Sequence, residues 1–244
     1  MWTLYKKEIR SFLSSLIAYL VIAVFLLVTG LFTWIFKDTS ILYSGYASLD
    51  PLFAIAPIVF IFLVSAITMR SFAEEKKAGT LETLTTRPLS DFDIVFAKYL
   101  AGLTLVVFSI LPTLLYYYSV QKLAVNPQES GLDSGATLGS YLGLLMLGSI
   151  YVAIGTFASA LTENQIIAFL LAMFLCFFFF IAFDFFSELP FLQSTDLTTE
   201  WLGINYHYMA LSKGVIDTRN LFYFLSMTLL FLSLTRFVFS SRKW

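Results

Sequence analysis

The sequence predicts an all-α membrane protein that crosses the bilayer six times. Hydrophobic residues make up 59% of the 244 residues and charged residues only 13%, so a soluble globule would have large apolar surfaces. Long apolar runs fill most of the chain and leave little sequence for a water-soluble domain. We therefore expect a single membrane domain over residues 1–244.

Six segments are long and apolar enough to cross the bilayer. A hydrocarbon core about 30 Å thick requires ~20 apolar residues in a helix. The segments run roughly from Leu16 to Phe36, Leu52 to Met69, Phe96 to Tyr118, Leu138 to Leu161, Ile166 to Phe186 and Leu221 to Phe239. Only Thr162 to Gln165 separate the fourth and fifth segments, so these should form a tight antiparallel hairpin. Several glycines in the fourth segment favour close helix packing.

The basic residues are distributed unevenly about these six spans. One side receives eleven of them: Lys6, Lys7, Arg10, Arg70, Lys76, Lys77, Arg87, Lys98, Arg236, Arg242 and Lys243. The other side receives four: Lys37, Lys122, Lys213 and Arg219. Lysine and arginine concentrate in cytoplasmic loops. Both termini and the segment between the second and third spans are therefore predicted to be cytoplasmic.

Residues 1–15 predict an amphipathic helix that lies in the membrane interface. On a helical wheel the apolar residues share one arc: Trp2, Tyr5, Ile9, Phe12, Leu13 and Leu16. The polar residues occupy the other arc: Lys6, Lys7, Arg10, Ser11 and Ser14. Such a helix rests with its apolar face in the acyl boundary. The alternative is a plain cytoplasmic extension of the first span.

The cytoplasmic segment 70–95 carries its own start and stop signals. Gly79 permits a break, Thr80 could cap a short helix from about Leu81 to Thr86, and Pro88 stops it. Ser90 with Asp93 three residues later resembles a capping box that opens the third span. A short helix across the cytoplasmic mouth is suited to receive force from a partner. The alternative is a solvated loop that only fixes topology.

The outer segment 187–220 mixes aromatic and charged residues. This composition predicts short helices that dip into the interface with aromatic side chains at headgroup depth. Two interpretations remain equally open. The segment is either an external lid over a central pathway or an ordinary interfacial anchor.

The sequence contains few residues of the types that usually catalyse reactions or bind metals. His207 is the single histidine and Cys176 the single cysteine, which excludes multi-histidine and cysteine-based metal sites. No G-x-x-x-x-G-K-[ST] loop is present, so any ATP-driven function needs another subunit. A net charge of −1 argues against a nucleic-acid partner. Asp184 is the one acidic residue inside an apolar run, and it is a candidate pathway residue unless it is solvated at the outer boundary.

The chain resembles the ABC-2-type permease subunits of ATP-binding-cassette transporters. The coupling motif of that family is similar to EEKKAGTLETLTTRP, in which acidic residues are followed by Gly-Thr, Glu and a later Pro. The stretch HYMALSKGVIDTRNLFYFLSMTLLFLSLT is similar to the end of the gliding-motility-associated permeases of Bacteroidetes-type bacteria. An intramembrane enzyme that acts on lipid or peptide through His207 is the alternative function.

The resemblance implies a half-transporter with the ABC-2 (type V exporter-like) permease fold in a bacterial inner (plasma) membrane. It would pair with a second permease subunit, identical or related, and with ABC ATPase subunits that bind the ATP and Mg. This chain itself would hold no cofactor and no catalytic residue, and substrate would pass, or leave the lipid, at the subunit interface. The ATPase-coupling residues would be Glu74, Glu75, Gly79, Thr80, Leu81, Glu82, Leu84 and Pro88.

Overall fold

The computed structural model describes residues 1–44, 47–81, 90–124, 132–187 and 199–241, and all regular structure within these ranges is helical. This confirms the predicted all-α fold. The α-helices are Trp2–Leu13, Leu16–Gly30, Ile41–Ser44, Asp50–Thr68, Ala73–Lys77, Asp91–Ile110, Leu114–Leu123, Ser134–Leu161, Gln165–Ser187, Ile204–Ser212 and Thr218–Ser240. A π turn follows at Leu31–Ile35, and 3-10 turns lie at Leu111–Thr113 and Thr199–Leu202.

Six helices are long and apolar enough to cross a membrane, as predicted. These spans are Leu16–Ile35, Asp50–Lys77, Asp91–Leu123, Ser134–Leu161, Gln165–Phe185 and Thr218–Ser240. The second and third extend further than the sequence indicated. Their added stretches include charged residues such as Arg70, Glu74 and Asp93. Charged residues lower the local hydropathy, but the helix continues because its backbone hydrogen bonds are independent of hydropathy. The chain is a multi-pass membrane protein.

Both ends of the described chain lie at one end of the helix bundle. The ring of Phe72, near the end of the second span, lies 5.6 Å from that of Phe239 at the end of the sixth. Lys98 of the third span contacts Glu8 of the N-terminal helix at the same end. We call this the proximal end and the other the distal end. The arrangement agrees with an even number of spans.

The second, third and fourth spans form the core of the bundle. In the most apolar stretch of the fourth span 78% of the residues are buried, against 22% in the first and fifth. Close approach depends on glycine, as the sequence indicated. A Cβ atom on Gly155 would lie 2.0 Å from Thr68 Oγ1, and one on Gly148 would lie 2.6 Å from a Val106 methyl carbon. The three other spans surround this core.

The N-terminal helix Trp2–Leu13 is separate from the first span. Ser14 and Ser15 interrupt it, and the Ser15 hydroxyl accepts a hydrogen bond from the Ile17 amide to start the next helix. The structure therefore rejects a continuous extension of the first span. Leu4, Glu8 and Phe12 are buried, whereas Trp2 is exposed. The position of the helix in the membrane interface stays a prediction.

The capping box that opens the third span is confirmed. The Ser90 hydroxyl accepts from the Asp93 amide at 3.1 Å, and the Asp93 carboxylate accepts from the Ser90 amide at 3.2 Å. The helix therefore begins at Asp91, five residues earlier than predicted from hydropathy. Lys98 therefore lies inside the third span and not in the loop between the second and third spans.

The predicted break at Gly79 is also observed. This glycine has a φ of +66°, a left-handed conformation that favours glycine over residues with a side chain. Leu81 then re-enters a helix. The remainder of the predicted helix to Thr86 lies outside the described residues. Glu82, Leu84 and Pro88 lie there too.

A short helix at the distal end, Ile204–Ser212, is fixed on the bundle. The Ser140 hydroxyl of the fourth span donates to the Ser212 carbonyl at 2.8 Å, and the Tyr208 hydroxyl donates to the Phe53 carbonyl at 2.7 Å. The opposite face, with Met209, is exposed. These two bonds hold the helix against the second and fourth spans. The choice between a lid and an interfacial anchor stays a prediction. An apolar exposed face suits anchoring in the interface.

Candidate functional site

Two lysines and two glutamates form a charge cluster at the proximal end. The N-terminal helix contributes Lys7 and Glu8, the final turn of the second span contributes Glu75, and the third span contributes Lys98. The four side chains come from three separate elements. The charge cluster therefore ties these elements together.

Lys98 is the centre of the charge cluster and is only 1% exposed. Its ammonium donates to Glu8 Oε1 at 3.1 Å and to the Ser71 carbonyl. It also lies 2.8 Å from Glu75 Oε2, in an ion pair without well-aligned hydrogen-bond geometry. The Phe72 ring lies 5.1 Å below the ammonium, within cation–π distance. Two carboxylates, a carbonyl oxygen and an aromatic ring thus stabilise the buried positive charge.

Lys7 closes the charge cluster on its outer side. Its ammonium donates to Glu75 Oε1 at 2.8 Å and to Glu8 Oε1 at 3.4 Å. Partial burial opposes the charge of Lys7, but the hydrogen bond to Glu75 and the Glu8 carboxylate outweigh it. The pKa of Lys7 therefore lies above its ordinary value. Lys7 stays charged across the physiological pH range.

The charge cluster is neutral as a whole, which allows Lys98, Glu8 and Glu75 to be buried while Lys7 lies at its exposed side. Two positive and two negative charges compensate one another over contacts of 2.8 to 3.4 Å. Removing one partner of a buried pair leaves an uncompensated charge and typically costs about 3–5 kcal/mol. Because sliding any element would separate opposite charges, the three elements should move as one body.

The backbone just before Glu75 is hydrogen-bonded to the fourth span. Ser159 accepts hydrogen bonds from the Phe72 and Ala73 amides at 3.0 and 3.1 Å, and it donates to the Met69 carbonyl at 3.0 Å. These bonds satisfy the first amides of the helix Ala73–Lys77, which would otherwise lack partners. The start of the predicted coupling segment is therefore held against the core of the bundle.

The two predicted neighbours Glu74 and Glu75 point in different directions. The Glu74 side chain is 46% exposed and pairs with Arg70 through two contacts of 2.9 and 3.1 Å. The Glu75 side chain is 11% exposed and belongs to the charge cluster. Arg70 in turn donates to the Ser15 hydroxyl at 2.7 Å. The pair Glu74–Arg70 thus secures the junction of the N-terminal helix, and Glu75 secures the third span.

The remaining predicted coupling residues follow along the chain. Gly79 and Thr80 are exposed, and together with Lys77, which was not among the predicted residues, they form an exposed surface at the proximal end. Leu81 is 6% exposed and packs in the core. Their role in coupling stays a prediction, as does that of the three residues outside the described ranges.

Asp184, the predicted pathway residue, lies far from the charge cluster. It is near the distal end of the fifth span, where it accepts a hydrogen bond from Asn205 Nδ2 at 2.7 Å. A cavity of about 460 Å³ adjoins it. The structure does not bring Asp184 together with the coupling residues.

Lys7, Glu8 and Lys98 are the cluster residues that sequence reasoning missed. Two signals were present. Leu4, Glu8 and Phe12 recur every four residues, so they share a helix face that an isolated glutamate would not join without a partner. Lys98 sits in the apolar run IVFAKYLAG, in which a lone lysine also requires an anion.

His207 has a structural environment. One ring nitrogen lies 2.8 Å from Asn220 Oδ1 and the other 2.9 Å from the Trp201 carbonyl oxygen. The ring stacks on Tyr223 with 3.9 Å between centroids. Both nitrogens are thus engaged in linking the distal segment to the sixth span. This arrangement does not favour catalysis by His207.

The six spans, with the N-terminal helix Trp2–Leu13 attached to them through the charge cluster, define a multi-pass membrane protein. The model of the family described as ABC-2 family transporter protein matches residues 33–240, and the chain belongs to that family. It is therefore a permease component of an ABC transporter, a class that works with an ABC ATPase subunit. No curated protein matches the sequence.

Proposed function

We propose that this chain couples ATP hydrolysis by a separate ABC ATPase to the movement of a substrate across or out of the membrane. The observation that carries the proposal is the charge cluster. Through Glu75 it joins the predicted coupling segment to the third span, and through Glu8 it joins the third span to the N-terminal helix. A connection of this kind is what a mechanical coupling element requires.

The path of force follows from the geometry. The exposed surface of Lys77, Gly79 and Thr80 is the part available to an ATPase. A displacement there passes along the helix Ala73–Lys77 to Glu75, and from Glu75 to the buried ammonium of Lys98. Buried ion pairs resist separation more strongly than exposed ones. Glu75 therefore transmits the movement inside the subunit, and the residues after it contact the ATPase.

The orientation and assembly belong to the same proposal. Eleven basic residues against four favour a cytoplasmic proximal end, with both termini in the cytoplasm and the spans in a bacterial inner membrane. A second permease subunit, related to this chain, would complete the pathway among membrane lipids. A link to gliding motility is supported by the resemblance of residues 207–235.

Co-purification with the ATPase tests this function. We expect the tagged chain, co-expressed with the ABC ATPase and the second permease of its own genome, to retain both. Lys77→Glu reverses a charge on the exposed proximal surface and should weaken retention of the ATPase. Lys37→Glu makes the same change at an exposed distal position and should leave retention intact. Absence of any ATPase from the wild-type complex, or equal effects of the two variants, would contradict the proposal.

A further inference from the structure

A cavity at the distal end lies between the fifth span and the helix Ile204–Ser212. Its volume is about 460 Å³, within the range of roughly 300–1,000 Å³ typical of small-molecule sites. Its lining includes Asp184, Asn205, Tyr206, Met209, Lys213 and Val215. The coupling function described above does not use this cavity.

The cavity contains one acidic and one basic side chain. Asn205 Nδ2 donates to Asp184 Oδ2 at 2.7 Å, and this bond orients the carboxylate. Lys213 is exposed, and its ammonium forms no ion pair in the part of the chain that the structure describes. A ligand with both a cationic and an anionic group would complement these two side chains.

The rest of the cavity is apolar and borders a lipid-facing surface. Met209 and Val215 contribute exposed apolar side chains to the lining. On the fifth span Phe174, Phe177 and Phe185 are all exposed, and in a membrane such an apolar surface suits contact with acyl chains. A ligand that enters here could therefore keep a hydrocarbon chain in the lipid while its polar group occupies the cavity.

We propose that this cavity binds the headgroup of a zwitterionic phospholipid that carries an ammonium group. The ammonium pairs with Asp184, the phosphate pairs with Lys213, and the acyl chains lie along the phenylalanine surface of the fifth span. Binding at this site requires neither ATP nor the charge cluster. The further conclusion that such a lipid is the transported substrate rests on the proposed function.

Lipid binding to the full chain, purified in its native assembly, tests the site. The probes are phosphatidylethanolamine and phosphatidylglycerol with identical acyl chains, and native mass spectrometry measures their affinities. We expect tighter binding of phosphatidylethanolamine, because phosphatidylglycerol lacks the ammonium. Asp184→Asn should reduce the affinity for phosphatidylethanolamine about tenfold, which corresponds to the loss of one charge-assisted contact, and leave phosphatidylglycerol unaffected. Lys213→Gln should weaken the binding of both lipids.

The controls separate this effect from general damage. Lys37→Gln combined with Asp38→Asn removes the same two charges from exposed distal positions outside the cavity and should change neither affinity. Asp184→Glu should retain the preference, and thermal unfolding checks the fold of each variant. Soluble glycerophosphoethanolamine, which lacks the chains, should not displace the lipid at equal concentration.

Three results would overturn the inference. They are equal wild-type affinities for the two lipids, an Asp184→Asn variant that behaves like the control, and full displacement by glycerophosphoethanolamine, which would assign the site to a water-soluble zwitterion. The test is independent of ATPase binding. Failure here with an intact ATPase complex contradicts the lipid site alone, and loss of the ATPase with intact lipid binding contradicts the proposed function alone.

Discussion

At the scale of single residues, Lys98 determines how the proximal end is built. A lysine that is 1% exposed has to be fully compensated, and here the compensation comes from Glu8 at a sequence separation of 90 residues and from Glu75. The apolar neighbours of Lys98 show that it needs an anion. They do not show which carboxylate is the partner, because the local sequence pattern does not reveal that the N-terminal helix packs against the third span.

Replacing Lys98 should destabilise the protein strongly. Lys98→Met leaves Glu8 and Glu75 as buried negative charges, and we expect a loss of about 3–5 kcal/mol in the free energy of unfolding. Lys122→Met, at an exposed position, should remain within about 0.5 kcal/mol of the wild type. Denaturant titration in mild detergent measures the free energy of unfolding of both variants.

A double variant tests whether the charge cluster acts as a unit. Lys98→Met with Glu8→Gln restores neutrality and leaves the pair of Lys7 and Glu75 in place. Its destabilisation should therefore be smaller than the sum of the two single effects. Strict additivity would show that the cluster charges act independently, contrary to the interpretation given above.

His207 provides the sharpest contrast between a structural and a catalytic role. His207→Ala removes the partners of Asn220 and of the Trp201 carbonyl, and we expect a loss of about 1–3 kcal/mol of stability. Activity per folded molecule should persist. A folded variant without activity would instead support the intramembrane enzyme.

At the scale of helices, the spans could be predicted from hydropathy, whereas the packing of one element on another could not. The existence of six spans follows from apolar length alone, and the capping box of Ser90 and Asp93 is readable from two residues. The lengths of the second and third spans were underestimated because hydropathy does not detect their polar extensions. The docking of the helix Ile204–Ser212 was not predictable either, since it depends on long-range bonds such as that from Ser140 to Ser212.

The contact between the second and fourth spans is a direct test of helix packing. Gly155→Ala would place a methyl carbon 2.0 Å from Thr68 Oγ1, so the helices must separate or Thr68 must rotate. Overpacking of this kind costs about 1–3 kcal/mol. Gly135→Ala, in the first turn of the fourth span, meets only the side chain of Asp133 at 3.3 Å and serves as the control. Equal thermal stability of the two variants would disprove the tight packing.

At the scale of the whole molecule, the proximal end holds the charge cluster and the proposed contact with the ATPase, and the distal end holds the cavity for which we propose a lipid. The core of the second, third and fourth spans connects them. The family and the spans could be predicted from the sequence because they depend on composition and on a local motif. The charge cluster could not, since it forms only when three distant segments meet.

The orientation of this assembly can be measured with impermeant thiol reagents. The native Cys176 is buried, and a Cys176→Ser background leaves no reactive thiol. In intact cells Lys37→Cys should react, whereas Lys77→Cys should react only after permeabilisation. The reverse pattern would show that the proximal end faces outwards.

The central claim is that Glu75 transmits the movement of an ATPase to the third span. Spin labels at Lys122 and Arg219, on the distal ends of the third and sixth spans, report their separation by double electron–electron resonance in the assembled transporter. We expect ATP with vanadate to change this distance in the wild type and in Glu74→Gln. In Glu75→Gln the change should be absent although ATP hydrolysis continues. If ATP with vanadate changed the distance in Glu75→Gln as much as in the wild type, this result would contradict the account.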